Sequence, residues 1–227
     1  RLKSLIARHP MIYKLYSKSS SPYYKDAFPS KNTNICIAAY PRSGSDFSKQ
    51  LTKNYFPGIK ISSHFHKAGA FKYSIRIGVP VIGLIRDPIE CVSSAMVKYR
   101  TERSLDFFPK YPMYEYLIFH KEMLKQAQKI SIINFDDLIE HPLIFITKLE
   151  KLLSINSESN LGINEVVEIV SNKLNNAKLA CNQSTGLMKG PSKSKEDLKR
   201  QAKKILNQSV TFKKKSFKLY EDLLKFS

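Results

Sequence analysis

The stretch Asn34-Ile-Cys-Ile-Ala-Ala-Tyr-Pro-Arg-Ser-Gly-Ser-Asp-Phe47 constrains this chain more than any other. Ile35, Ile37 and Ala39 read as a buried strand. A short turn follows, carrying one cation, hydroxyls and a single glycine, and then a helix signal with Phe47, Leu51 and Tyr55 on one face. A strand, a small-residue turn and a helix N-terminus together make an anion cradle. Unpaired backbone N–H groups and the positive end of the helix dipole face one point. Arg42 adds a full charge whose fork geometry suits phosphate or sulfate oxygens. The spacing of a Walker A loop is missing.

Charge extends the argument to a partner. The 227 residues contain 38 Lys and Arg against 19 Asp and Glu, a net charge of +19. Such an excess predicts an anionic partner: nucleic acid, acidic polysaccharide, a membrane surface or a polyphosphorylated small molecule. A lysine-rich solvated surface explains the same numbers. Cys36, Cys91 and Cys181 are far apart and show no metal-ligand or disulfide spacing. Cys36 fits a strand core. A reducing, cytoplasmic location is expected; an upstream targeting or anchoring segment is left open. No apolar run approaches the roughly 18 residues of a membrane span.

Along the chain, residues 1–33 read as an N-terminal arm, with a short helix around Leu2–Leu15 and a mobile stretch at Ser17–Pro22. Residues 34–227 read as one α/β domain with a basic helical C-terminal region. Strands are predicted at Ile35–Ala39, Ile59–Ser63, Val79–Ile85 and Ser131–Phe135. The Val79–Ile85 run is almost wholly apolar, as a strand buried on both faces requires. Helices are predicted to about Asn54, after Pro88, over Met113–Lys129, from Pro142, over Ile163–Leu179, from Ser194, and at the C-terminus around Phe217–Leu224. Asp136-Asp137 reads as a turn. Strands separated by helices argue for a three-layer α/β domain with a central, mainly parallel sheet flanked by helices. Ligands gather beyond the carboxyl ends of such strands, which places the first turn, His64, Arg86 and the Phe135-Asp136 corner on one edge.

These elements resemble the sulfotransferase family. Tyr40-Pro-Arg-Ser-Gly-Ser45 is similar to that family's 5′-phosphosulfate loop, and Arg86-Asp-Pro-Ile-Glu-Cys-Val-Ser-Ser94 to its 3′-phosphate element. Ser62-Ser-His64 resembles the segment carrying the general-base histidine. Phe135-Asp-Asp-Leu resembles the stretch that closes the later core strand, and Lys189-Gly190 the C-terminal Lys-Gly loop. The resemblance covers about residues 34 to 200. It implies a P-loop-like form of the α/β domain, 3′-phosphoadenosine 5′-phosphosulfate (PAPS) as donor, adenosine 3′,5′-bisphosphate (PAP) as product and no metal. Pro41, Arg42, Ser43, Gly44, Ser45, Asp46, Phe47, Arg86, Ser94, Phe135, Lys189 and Gly190 are the implied donor-binding residues. Arg42 and His64 are the implied catalytic ones.

Several alternatives stay open at this point. His66 is a substitute for His64, while His9, His120 and His141 read as structural or exposed. Phe47 suits adenine stacking and the core equally. The C-terminal lysines read as a solvated face or as an acceptor surface. Asp46 stands where the family has a neutral polar residue, and a carboxylate beside a phosphosulfate is repulsive unless it turns away or finds a cation. Ser62, Phe135 and Met188 also depart from residues frequent in the animal cytosolic branch, which points to a distant, microbial-like branch. The expected acceptor is a hydroxyl- or amine-bearing small molecule, lipid or glycan, with no specific nucleic acid. Two other readings compete: a non-catalytic or lapsed basic module that binds polyanions, and a P-loop kinase-like phosphotransferase. Oligomeric state is not readable from the sequence.

Overall fold

The computed structural model describes residues 8–20, 28–99, 110–155, 162–185 and 193–227. Four strands form one sheet: β1 (Ile35–Ala39), β2 (Ile61–Ser62), β3 (Val81–Ile85) and β4 (Ser131–Asn134). Their order is β2-β1-β3-β4 and every neighbouring pair is parallel. Cys36 lies opposite Val81, Ile85 opposite Asn134, and Ile35 opposite Ile61. The chain leaves β1 toward one edge and later fills the other, so the topological switch point lies between β1 and β3. In open parallel sheets that crevice is where ligands sit.

Alternation along the strands builds three layers. Ile35, Ile37, Ala39, Ile82, Leu84 and Ile133 pack to one side. There they meet α2 (Ser45–Tyr55), α6 (Phe135–Glu140), α7 (Pro142–Leu153) and α8 (Ile163–Thr185) through Leu51, Leu138, Phe145, Leu149, Val166 and Val170. Cys36, Ala38, Val81, Ile85 and Ile132 face the other side. This side is covered by α3 (Ala68–Arg76), α4 (Pro88–Tyr99), α5 (Lys110–Leu124), α9 (Lys193–Gln208) and α10 (Val210–Leu224). All five residues of β1 and of β3 are buried. Each fully buried Ile or Leu contributes roughly 1.5–3 kcal/mol of transfer free energy. At Gly83 a Cβ would lie 3.0 Å from Ile130 and 3.1 Å from Met123, so a larger residue there would require these side chains to shift by a few tenths of an ångström.

Some elements depart from the sequence reading. Asp136-Asp137 lies not in a turn but in the first turn of α6, where two carboxylates suit the positive helix end. β2 spans two residues because, as an edge strand, it pairs only with β1. The helix expected over Met113–Lys129 begins earlier, at Lys110, with Pro112 tolerated in its first turn, and closes as a separate 3-10 turn at Ala127–Lys129. At the N-terminus the described helix is α1 (Pro10–Ser20), so Ser17–Ser20 belongs to it. Tyr13 of α1 packs against Phe28 and Phe65, and Lys14 donates to the Tyr73 hydroxyl at 2.6 Å. Among the described residues no helix is long and apolar enough to cross a membrane.

Candidate active site at the β1–β3 crevice

The turn after β1 is closed by the Ser43 N–H donating to the Tyr40 carbonyl at 3.2 Å. Pro41 presets its second position. Arg42 takes the third with φ 74°, a left-handed value that favours Gly or Asn. A bulky side chain there costs about 1–2 kcal/mol. The non-glycine residues with positive φ among the described residues are Arg42, His64 and Ser154. Two of those three lie at this edge, and local strain of this kind collects at functional sites.

Gly44, at φ 92°, is the residue before α2 and has no side chain with which to cap it. The first N–H groups of α2 are therefore left to meet a ligand or solvent. A Cβ on Gly44 would come within 2.9 Å of Leu138 and 3.1 Å of Phe135. Ser43 turns the other way. It is fully buried, and its hydroxyl lies 3.1 Å from Cys91 Sγ. Cys91 Sγ in turn lies 3.2 Å from the Pro41 carbonyl, which can only accept. The thiol proton thus goes to Pro41, and the Ser43 hydroxyl donates to the sulfur. Burial pushes the Cys91 thiol up to about 12, so it stays protonated and serves as a clasp beneath the loop. Both Ser43 donors are spent inside the protein. Its contribution to the site is to hold the turn in shape rather than to face a ligand. Ser45 is buried as well, and its carbonyl accepts from the Ser48 hydroxyl.

Three donors converge from two strands and a helix. Arg42 Nε donates to Ser94 Oγ at 3.0 Å, and Arg86 Nη1 donates to the Arg42 carbonyl at 2.8 Å. Because Ser94 accepts from Arg42, its own O–H is left to donate. The Arg86 guanidinium lies over the Phe135 ring, 3.9 Å from its centroid, while the Tyr116 hydroxyl donates to the Arg86 carbonyl. Asp87 accepts from the N–H groups of Ile89 and Glu90 and so caps α4. The Asp87 carboxylate is thereby directed to the helix end.

His64 and His66 bracket buried Phe65 just past β2. His66 Nδ1 lies 2.8 Å from the Ala39 carbonyl and must donate to it, which fixes the tautomer and leaves Nε2 unprotonated. Burial brings this imidazole down to about 4. His64 Nε2 lies 3.6 Å from Asp46 Oδ1. Burial lowers the proton affinity of His64, Asp46 opposes this, and Lys49 and Lys98 reinforce it. Phe47 is half-buried against the α2 side of the core.

Beside His66 a narrow cleft is lined by Arg8, Lys67, Glu115, Ile118 and Phe119. Lys67 is bonded to Glu115. Burial depresses the ammonium, but the Glu115 carboxylate outweighs it and the net shift is upward. The sequence reading missed this pair, because 48 positions separate its members and neither sits in a motif. Lys189 and Gly190, together with Met188, lie outside the described residues. His120 is buried, while His9 and His141 are exposed. Among the described residues no group of three or more His, Cys, Asp or Glu is placed to hold a metal ion.

No protein-family model matches the chain, and no curated protein sequence does. Among solved structures, the mouse sulfotransferase SULT7A1 complexed with PAP is similar to it. The identity is 10% and the TM-score 0.51, over 93% of this chain and 96% of that one. The fold is thus the P-loop-like α/β architecture of a sulfotransferase, at a distance where sequence comparison finds no relative.

Proposed function

We propose that the protein is a PAPS-dependent sulfotransferase that transfers a sulfuryl group to a hydroxyl or amine. The observation that carries this reading is the meeting of Arg42, Arg86 and Ser94 at the β1–β3 switch point, beside the uncapped N-terminus of α2. A similar structure holding PAP supports it.

The residues fit such a donor. PAPS, when bound, supplies an electrophilic sulfur and a phosphate leaving group. Arg86 and the Ser94 hydroxyl have the charge and the donor needed for a 3′-phosphate, the group that separates this donor from ATP. Arg42 and the first N–H groups of α2 suit the phosphosulfate oxygens. They receive the negative charge that grows as the bridging S–O bond breaks and its electron pair moves to the phosphate. One such preorganised donor contributes about 10²–10³ in rate. His64 removes the acceptor's proton as the acceptor lone pair bonds to sulfur, a contribution of about 10²–10⁴.

Calorimetry with PAP tests the reading. Binding by the wild type is expected, weakened on the order of tenfold to a hundredfold in Arg86→Ala. Absence of binding to the wild type overturns it. Radiolabelled PAPS with a panel of glycan, lipid and phenolic acceptors, beside His64→Ala, then tests transfer. The excess of lysines over α9 and α10 favours a second reading, a polyanion-binding module. Salt-sensitive polyanion binding without any sulfated product would select it.

A further inference from the structure

We infer that Asp46 is the counter-charge of His64, so that the helix whose N-terminus faces the donor also supplies the carboxylate that accommodates the transferred proton. As a donor ligand Asp46 would be misplaced, since its carboxylate repels phosphate and sulfate alike. Its position resolves the conflict. Asp46 Oδ1 lies 3.6 Å from His64 Nε2, with the carboxylate 63% exposed and the imidazole 23% exposed. A direct hydrogen bond would be shorter. At this separation the interaction is weak with neutral imidazole and stronger with imidazolium, the form that exists once the proton has moved.

The surroundings explain why a carboxylate is needed. Lys49 of α2 and Lys98 of α4 both act against a proton on His64. His66, across the edge-to-face contact at 6.3 Å between ring centroids, is neutral and offers no negative charge. Burial adds to the penalty, which leaves Asp46 as the favourable charge acting on this imidazole. His64 itself is held at φ 68°, in the left-handed region that few non-glycine residues occupy. A carboxylate in the first turn of α2 and a histidine with left-handed backbone therefore meet at one contact. The proton balance is simple. The acceptor's O–H or N–H proton moves to His64, the resulting imidazolium faces Asp46, and the proton passes to solvent after product leaves.

The pair itself does not depend on the sulfuryl-transfer reading; only the use made of its proton does. NMR titration of the histidine side chains in wild type, Asp46→Asn and Asp46→Glu tests it, with His64→Gln assigning the signal. Removing the one charge that raises proton affinity must lower the midpoint. Asp46→Asn is expected to shift His64 down by about one pH unit, and Asp46→Glu to restore it. PAP affinity by calorimetry is expected to be unchanged or tighter in Asp46→Asn, because a repelling charge is gone. A His64 midpoint that does not move overturns the inference. So does a PAP affinity reduced tenfold or more with the midpoint unmoved, which would make Asp46 a donor contact. A shifted midpoint in a wild type that fails to bind PAP supports the pair and overturns the sulfotransferase reading instead. The exposure of Asp46 keeps the variants foldable, and matched melting temperatures check this.

Discussion

Arg42 shows how function and stability pull against each other at a single residue. Its left-handed backbone would suit glycine, yet only a side chain can reach Ser94. Arg42→Gly is expected to leave unfolding free energy within about 1 kcal/mol of wild type, or raise it, because relief of strain offsets glycine's entropy cost. PAP binding should nevertheless be lost. Denaturant unfolding beside calorimetry checks both halves, and a variant that unfolds readily would show that the turn is not strained. Gly44 is the converse case. Gly44→Ala combines positive φ with a Cβ 2.9 Å from Leu138 and 3.1 Å from Phe135, the ring on which Arg86 rests. A loss of about 1–3 kcal/mol is expected, with weaker PAP binding. Tm and calorimetry measure it.

Helix α9 is attached by two unlike interactions whose worth differs. Lys199 and Lys203 both pair with Glu90 in the first turn of α4, Lys199 at 3.0 Å. Those groups are partly exposed, and pairs of this kind contribute about 0–1 kcal/mol. Leu206 and Ala202, in contrast, are fully buried beneath the same helix. Leu206→Ala is therefore expected to cost about 2–5 kcal/mol, and Glu90→Gln below about 1 kcal/mol. Thermal unfolding of the two variants checks the ranking, and equal losses would contradict it. The helix reads as polar from its sequence, yet its attachment is apolar. Helix α10 behaves alike: its lysines lie on the outside while Phe212, Ser216 and Leu223 are buried.

For the whole molecule the buried histidines contribute to the response to acid. His120 and His66 are both held at about 4 by burial, against an ordinary value near 6.5. The unfolded chain binds these protons more readily. Their contribution to stability is therefore fully present above about pH 6.5 and is lost as pH drops toward 4, by about 3 kcal/mol for His120 alone. Urea unfolding at pH 7 and pH 4.5 should show this fall, and a smaller one in His120→Phe. The pattern of burial that produces it was only partly legible beforehand. The short apolar runs of β1 and β3 determined a parallel, helix-covered sheet, because water and backbone hydrogen bonding leave such sequences few other arrangements. The positions of Arg42, Arg86 and His64 at strand ends determined that they share one edge. What no local pattern carries is how side chains are spent once they arrive there. Ser43 turns inward to Cys91, His66 hands its proton to Ala39, and Lys67 meets Glu115 from a distant helix. Asp46, in the first turn of α2, approaches His64 just past β2. Those pairings depend on distances set by packing between elements far apart in the chain, so the tertiary structure alone decided them.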